Sequence, residues 1–78
     1  MDNKYISQSK LDKNSVIPIY FQIAKLFEEI IYEGKLKPGD VLPPEHELAE
    51  HFAISRMTVR RAISELITAG LVYAQKGR

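Results

Sequence analysis

The residues best equipped for chemistry sit late in the chain, in the run SRMTVRR, which holds Ser55, Arg56, Met57, Thr58, Arg60 and Arg61. Guanidinium forks can grip the O6 and N7 edge of guanine bidentately, and small hydroxyls can hold phosphate oxygens. Charge along the chain points the same way. Residues 54–78 hold Arg56, Arg60, Arg61, Lys76 and Arg78 against Glu65 alone, whereas residues 18–53 hold Lys25, Lys35 and Lys37 against seven carboxylates. The formal net charge of +1 therefore hides a basic tail on an acidic middle, a pattern that suits a directed anionic partner. One arginine alone would mean little, since charged side chains mostly keep a helix solvated. Three beside a tight turn mean more.

Other chemistries find no residues to carry them. With 78 residues and no cysteine, the chain builds one modest core, no disulfide, no thiolate site and no deep cavity, which fits a reducing cytoplasm. His46 and His51 are five positions apart and do not align on one helical face, so they make a poor metal pair. No metal or cofactor is expected. Ser64 has Glu65 beside it but no organised histidine base, and no acid/base pair stands elsewhere, so an enzyme is not expected. Tyr20, Phe27, Phe52 and Tyr73 are spaced as core or core-edge aromatics rather than as a stacking platform for single strands. The acidic set Glu28, Glu29 and Glu33 reads as a solvated face that would repel phosphate. The polar start lacks a signal-peptide core, and no apolar run approaches the roughly 20 residues that cross a bilayer, so no membrane partner is expected.

Three helices and a turn must position the basic run. Residues 1–16 are polar and aperiodic and read as a flexible arm. From Pro18, the residues Tyr20, Ile23, Ala24, Phe27, Ile30 and Ile31 recur at helical spacing, and Gly34 suits the end of a helix over about 18–33. Pro38-Gly39-Asp40 marks a turn, with Val41-Leu42 as a short strand candidate before Pro43-Pro44. A second helix starts near Glu45 with Leu48, Ala49 and Phe52 inward. A third follows Ser55 as N-cap, with Val59, Ala62, Ile63, Leu66 and Ile67 as its apolar stripe, and ends at Gly70. Two short helices joined this closely over 45–64 make a helix-turn-helix, its seam being Leu48, Ala49, Phe52, Ile54, Val59 and Ile63. Ala53 falls where such turns favour glycine, and a positive φ there costs about 1 kcal/mol. On the third helix, Met57, Arg61, Ser64 and Thr68 project opposite the stripe, with Thr58 and Arg60 on its flanks. Leu71 to Ala74 is a second strand candidate, and the chain stops as if in the middle of a hairpin.

The segments IPIYFQI, GKLKPGDVLPPEHELAEHF, ISRMTVRRAISELITAGLV and QKGR resemble the N-terminal winged helix-turn-helix domain of GntR-type bacterial transcription regulators, over residues 17–78. IPIYFQI is most similar to the HutC-like branch. The resemblance implies a mainly α fold with a small β-wing (α+β), the wing hairpin being incomplete at the C-terminus. It also implies that an effector-binding domain, absent from this chain, reads a small molecule and holds a homodimer on operator DNA. For the site, it implies DNA contact by Ser55, Arg56, Thr58 and Arg60, with Arg56 and Arg60 reading bases and Ser55 and Thr58 holding phosphates. Met57 and Arg61 share that outward face. Glu45 faces the joint, while His46 stands where many members have an arginine that reaches DNA. Lys76, Gly77 and Arg78 resemble the wing tip that enters the minor groove. A repressor that binds double-stranded DNA is the expected function; the alternative is a winged-helix module that docks on a protein. That alternative needs an exposed apolar patch, and the outward face offers only Met57 as a large apolar residue.

Overall fold

A computed structural model describes residues 11–73. Three helices follow in order: α1 (Ile19–Tyr32), α2 (Glu45–Phe52) and α3 (Arg56–Thr68), with α3 packed against both α1 and α2. The shared core is Ile23, Ala24, Phe27 and Ile30 from α1, Leu48, Ala49 and Phe52 from α2, and Val59, Ala62 and Leu66 from α3. Phe27, Ile23, Leu48 and Val59 are its largest fully buried side chains. Every one of these positions follows the three- and four-residue spacing that puts a stripe on one helical face. Ile54 and Ile63 of the expected seam are half-buried against this core, and Ile67 is exposed, so the stripe of α3 tapers toward its C-terminus.

All three helices end in the same way. The amides of Gly34, Ala53 and Gly70 donate three residues back, to Ile31, Glu50 and Ile67, and those of Lys35, Ile54 and Leu71 donate five residues back, to Ile30, Ala49 and Leu66. This double bond pattern needs a left-handed residue at its corner. Glycine supplies it after α1 and α3, and at the corner of the helix-turn-helix Ala53 takes it with φ +58°. The expected strain is present. Ile54 then packs back on the core, and Ser55 starts α3 two residues after that corner.

Several expectations change. Neither Val41-Leu42 nor Leu71-Val72-Tyr73 forms a strand, since no ladder joins them; they instead line one open cleft of about 940 Å³. Leu71 and Val72 are half-buried, but Tyr73 is 77% exposed and is not a core-edge aromatic. The core ends at Val72. The order of the chain also starts earlier than the helix: within the segment read as an arm, Leu11 packs against the core and Ser15 donates to the carbonyl of Asp12. The strand position at Ala74 and the wing-tip positions Lys76, Gly77 and Arg78 lie outside the described residues, as do residues 1–10.

Candidate nucleic-acid interface

Ser55 sets the base of the site. Its Oγ accepts from the amide of Thr58 at 3.2 Å, which makes Ser55 the N-cap of α3, and it lies 2.9 Å from the Thr58 hydroxyl, so the two hydroxyls expected to hold phosphates are bonded to each other. Ser55 is exposed and Thr58 half-buried, and each oxygen keeps capacity for a further bond. The cap fixes the direction of the first turn, from which Arg56 and Met57 project. Met57 is 67% exposed. Arg56 is exposed and makes no hydrogen bond or ion pair among the described residues, so its fork is available.

Arg60 differs. Its Nε donates to Glu45 Oε2 at 3.0 Å and its Nη2 to Glu45 Oε1 at 2.9 Å, a two-pronged pair across the helix-turn-helix. The hydrogen bonds from Arg60 hold the Glu45 carboxyl below its ordinary value, with the nearby charge of Arg56 a smaller contribution, and the same pair raises the Arg60 guanidinium. The Nε/Nη2 edge of the guanidinium is thus occupied in this state, leaving Nη1 directed at the Met57 sulfur at 3.8 Å. Glu45 therefore faces α3 across the joint.

Arg61 goes elsewhere. Its guanidinium carbon sits 4.1 Å from the centre of the Tyr20 ring, and Nη2 reaches the Tyr20 hydroxyl at 3.4 Å. It therefore leans toward α1 rather than straight outward, the attraction being that of a cation to the negative face of a π system. His46 is exposed in the first turn of α2, beside Glu45. Ser64 and Thr68 are exposed farther along α3. Ser55, Arg56, Met57 and Thr58 share the start of α3, Glu45 and His46 share the start of α2, and the Glu45–Arg60 pair joins the two helices, with Arg61 turned toward Tyr20 of α1.

Sequence reasoning missed the partners. The Glu45–Arg60 and Tyr20–Arg61 contacts span 15 and 41 positions, and no local period marks them. It also missed Gln22 and Lys13, which tie the segment before α1 to the rest of the fold. Among the described residues no group of histidines and carboxylates could hold a metal ion, and no helix is long and apolar enough to cross a membrane.

Comparison with known proteins bears directly on this arrangement. A family model described as bacterial regulatory proteins, gntR family, matches residues 19–78. This chain belongs to the gntR family. Its gntR relatives include the HTH-type transcriptional repressor NagR of Bacillus subtilis, 52% identical over 68 residues, covering 87% of this chain and 28% of the relative. The mannosyl-D-glycerate transport/metabolism system repressor MngR of Escherichia coli is 43% identical over 60 residues, covering 77% of this chain and 25% of the relative. The chain thus spans about a quarter of the length of these curated relatives. Among solved structures, YtrA from Sulfolobus acidocaldarius, a GntR-family transcription factor, superposes with a TM-score of 0.82 at 43% identity, over 86% of this chain and 71% of that one. The AraR DNA-binding domain in complex with operator ORE1 gives 0.75 at 36% identity, over 90% of this chain and 85% of that one. The three helices of this gntR chain are those of a winged helix-turn-helix, with the wing positions beyond residue 73 outside the described residues.

Proposed function

We propose that this gntR-family chain is the DNA-binding head of a transcriptional repressor, recognising double-stranded operator DNA by sequence with α3 in the major groove. The observation that carries the reading is the capped start of α3: Ser55 orients the first turn, and Arg56 is presented exposed beside Met57 with no partner among the described residues. Arg56 is the primary base reader. Arg60 is a second one that must exchange Glu45 for a base edge, a swap between two charge-assisted partners. Ser55, Thr58 and His46 lie where backbone phosphates pass, and Arg61, stacked on Tyr20, supplies charge at the rim. On the pattern of the family, Lys76, Gly77 and Arg78 supply the minor-groove contact. The names of NagR and MngR, and the operator bound to the AraR domain, support this reading.

The part of the protein beyond this head holds an effector-binding domain that dimerises it and responds to a small molecule, in the cytoplasm, on the pattern of the HutC-like branch. Its function is binding rather than catalysis. The test is selection of a duplex from a randomised pool followed by titration. The selected duplex should hold two related half-sites, and its affinity should fall steeply with salt. Arg56→Ala should weaken it by about 1 to 3 kcal/mol and relax base preference at one position per half-site. Recovery of no preferred duplex would defeat the reading.

A further inference from the structure

The segment before α1 carries an inference of its own. Its backbone is bracketed by one side chain: Gln22 Oε1 accepts from the amide of Asp12 at 2.9 Å, and Gln22 Nε2 donates to the carbonyls of Asp12 at 3.0 Å and Ile17 at 2.8 Å. Within the bracket, Asp12 Oδ1 accepts from the Asn14 amide and Ser15 Oγ accepts from the Ile17 amide. Leu11 packs against the core. These bonds spend no apolar surface on the segment, yet they fix where Lys13 stands. Lys13 Nζ then donates to the carbonyl of Ala53 at 3.1 Å, across 40 positions of sequence.

That carbonyl belongs to the strained corner of the helix-turn-helix. Ala53 is the only non-glycine residue with positive φ among the described residues, and its peptide plane leads through Ile54 to the N-cap Ser55. A cation at the end of α2 also complements the carbonyls left open there. Because Gln22 holds the backbone of the segment in place, little backbone freedom is lost when the ammonium docks. We propose that Lys13 is a positioning residue for DNA recognition: it fixes the Ala53 corner, and through it the angle at which α3 presents Arg56. This rests on the DNA-binding function proposed above. Residues 11–17 would then be a working part of the head rather than a tether.

The experiment compares the parent, Lys13→Ala, Lys13→Arg, Gln22→Ala and the Lys13→Ala/Gln22→Ala double variant, using the duplex that the parent selects from a randomised pool and a random duplex of equal length. Lys13→Ala should lose roughly two- to fivefold on the selected duplex, the scale of one surface helix-end contact, and much less on the random one. Lys13→Arg should restore binding because it keeps a donor to Ala53. Gln22→Ala should lose as much, and the double variant no more than either. In the free protein, amide exchange at Ile54 and Thr58 should quicken in Lys13→Ala. Equal losses on both duplexes with a shallower salt slope would make Lys13 a plain phosphate contact and overturn the proposal, as would unchanged affinity. If the parent itself prefers no duplex, the proposed function fails, and unchanged exchange at Ile54 and Thr58 would then sink the positioning role separately.

Discussion

The buried side of α3 and its outward side are built from the same thirteen residues, yet they are governed by different physics. On the buried side, Val59, Ala62 and Leu66 meet α1 and α2, and no polar side chain is buried among the described residues. Hydrophobic attraction is non-directional, so spacing alone decides which residues enter the core. Directional bonds rule the outward side, where three exposed arginines meet three fates. Among the described residues Arg56 has no hydrogen-bond or ion-pair partner, Arg60 is forked onto Glu45, and Arg61 lies over Tyr20. A period can place an arginine on a face; only a partner decides what its fork is doing.

The contrast predicts that the two sides fail differently. Phe27→Ala, which removes the largest fully buried side chain of the core, should cost about 3 to 5 kcal/mol in a denaturant titration followed by circular dichroism. A chain of this size has on the order of 4 to 12 kcal/mol in total, so the variant should be partly unfolded at 37 °C and lose any duplex affinity with its fold. Arg56→Ala should do the reverse. It should leave the unfolding midpoint within about 0.5 kcal/mol of the parent, as surface changes do, while weakening the selected duplex by about 1 to 3 kcal/mol. If Arg56→Ala unfolds the protein as well, the two sides are not separable and the comparison breaks.

Legibility followed the same divide. Helix order, the ten core residues, the Ser55 cap and the alanine at positive φ all follow from spacing and local residue chemistry, because each depends on neighbours within a turn or two. Among the described residues the expected strands at Val41 and Leu71 do not form, since a strand exists only with its ladder partner, which no local pattern supplies. Within the candidate site, the sequence placed Arg56, Arg60 and Arg61 together but could not say which was free. That distinction rests on Glu45 and Tyr20, remote in the chain and brought close only by folding. Gln22 was hidden for a related reason: it sits among the apolar residues of α1 and looks like an ordinary polar position until the segment it brackets is seen.

Ala53 joins the two sides, and it sharpens the comparison at a smaller scale. With φ +58° and an exposed side chain, Ala53→Gly should raise stability by about 1 kcal/mol, read as a higher unfolding midpoint. Its effect on duplex binding separates strain from function. If the alanine serves only to end α2, glycine should bind equally well; a looser α3 would show as weaker discrimination between the selected and random duplexes despite the added stability.

The smallest expected effect lies in the pH dependence of the Glu45–Arg60 pair. Hydrogen bonding from Arg60 lowers the folded-state pKa of Glu45 below its ordinary 4.5. The unfolded chain therefore binds the proton more readily than the folded one as pH falls through that range, so the stability linked to this group is present above about pH 4.5 and lost as pH drops through the lowered folded value. Glu45→Gln removes that titration. Its unfolding midpoint should sit slightly below the parent's at pH 7, and the gap should close in acid as the parent's carboxyl takes up its proton. The pair is exposed, with 62% and 34% of the two side chains open to solvent, so salt should shrink the gap as acid does. A gap that persists unchanged at low pH would mean that Glu45 acts by packing and not by charge, and that Arg60 is oriented by the fold itself. The outward side of α3 would then owe its order to the same apolar contacts as the inward one.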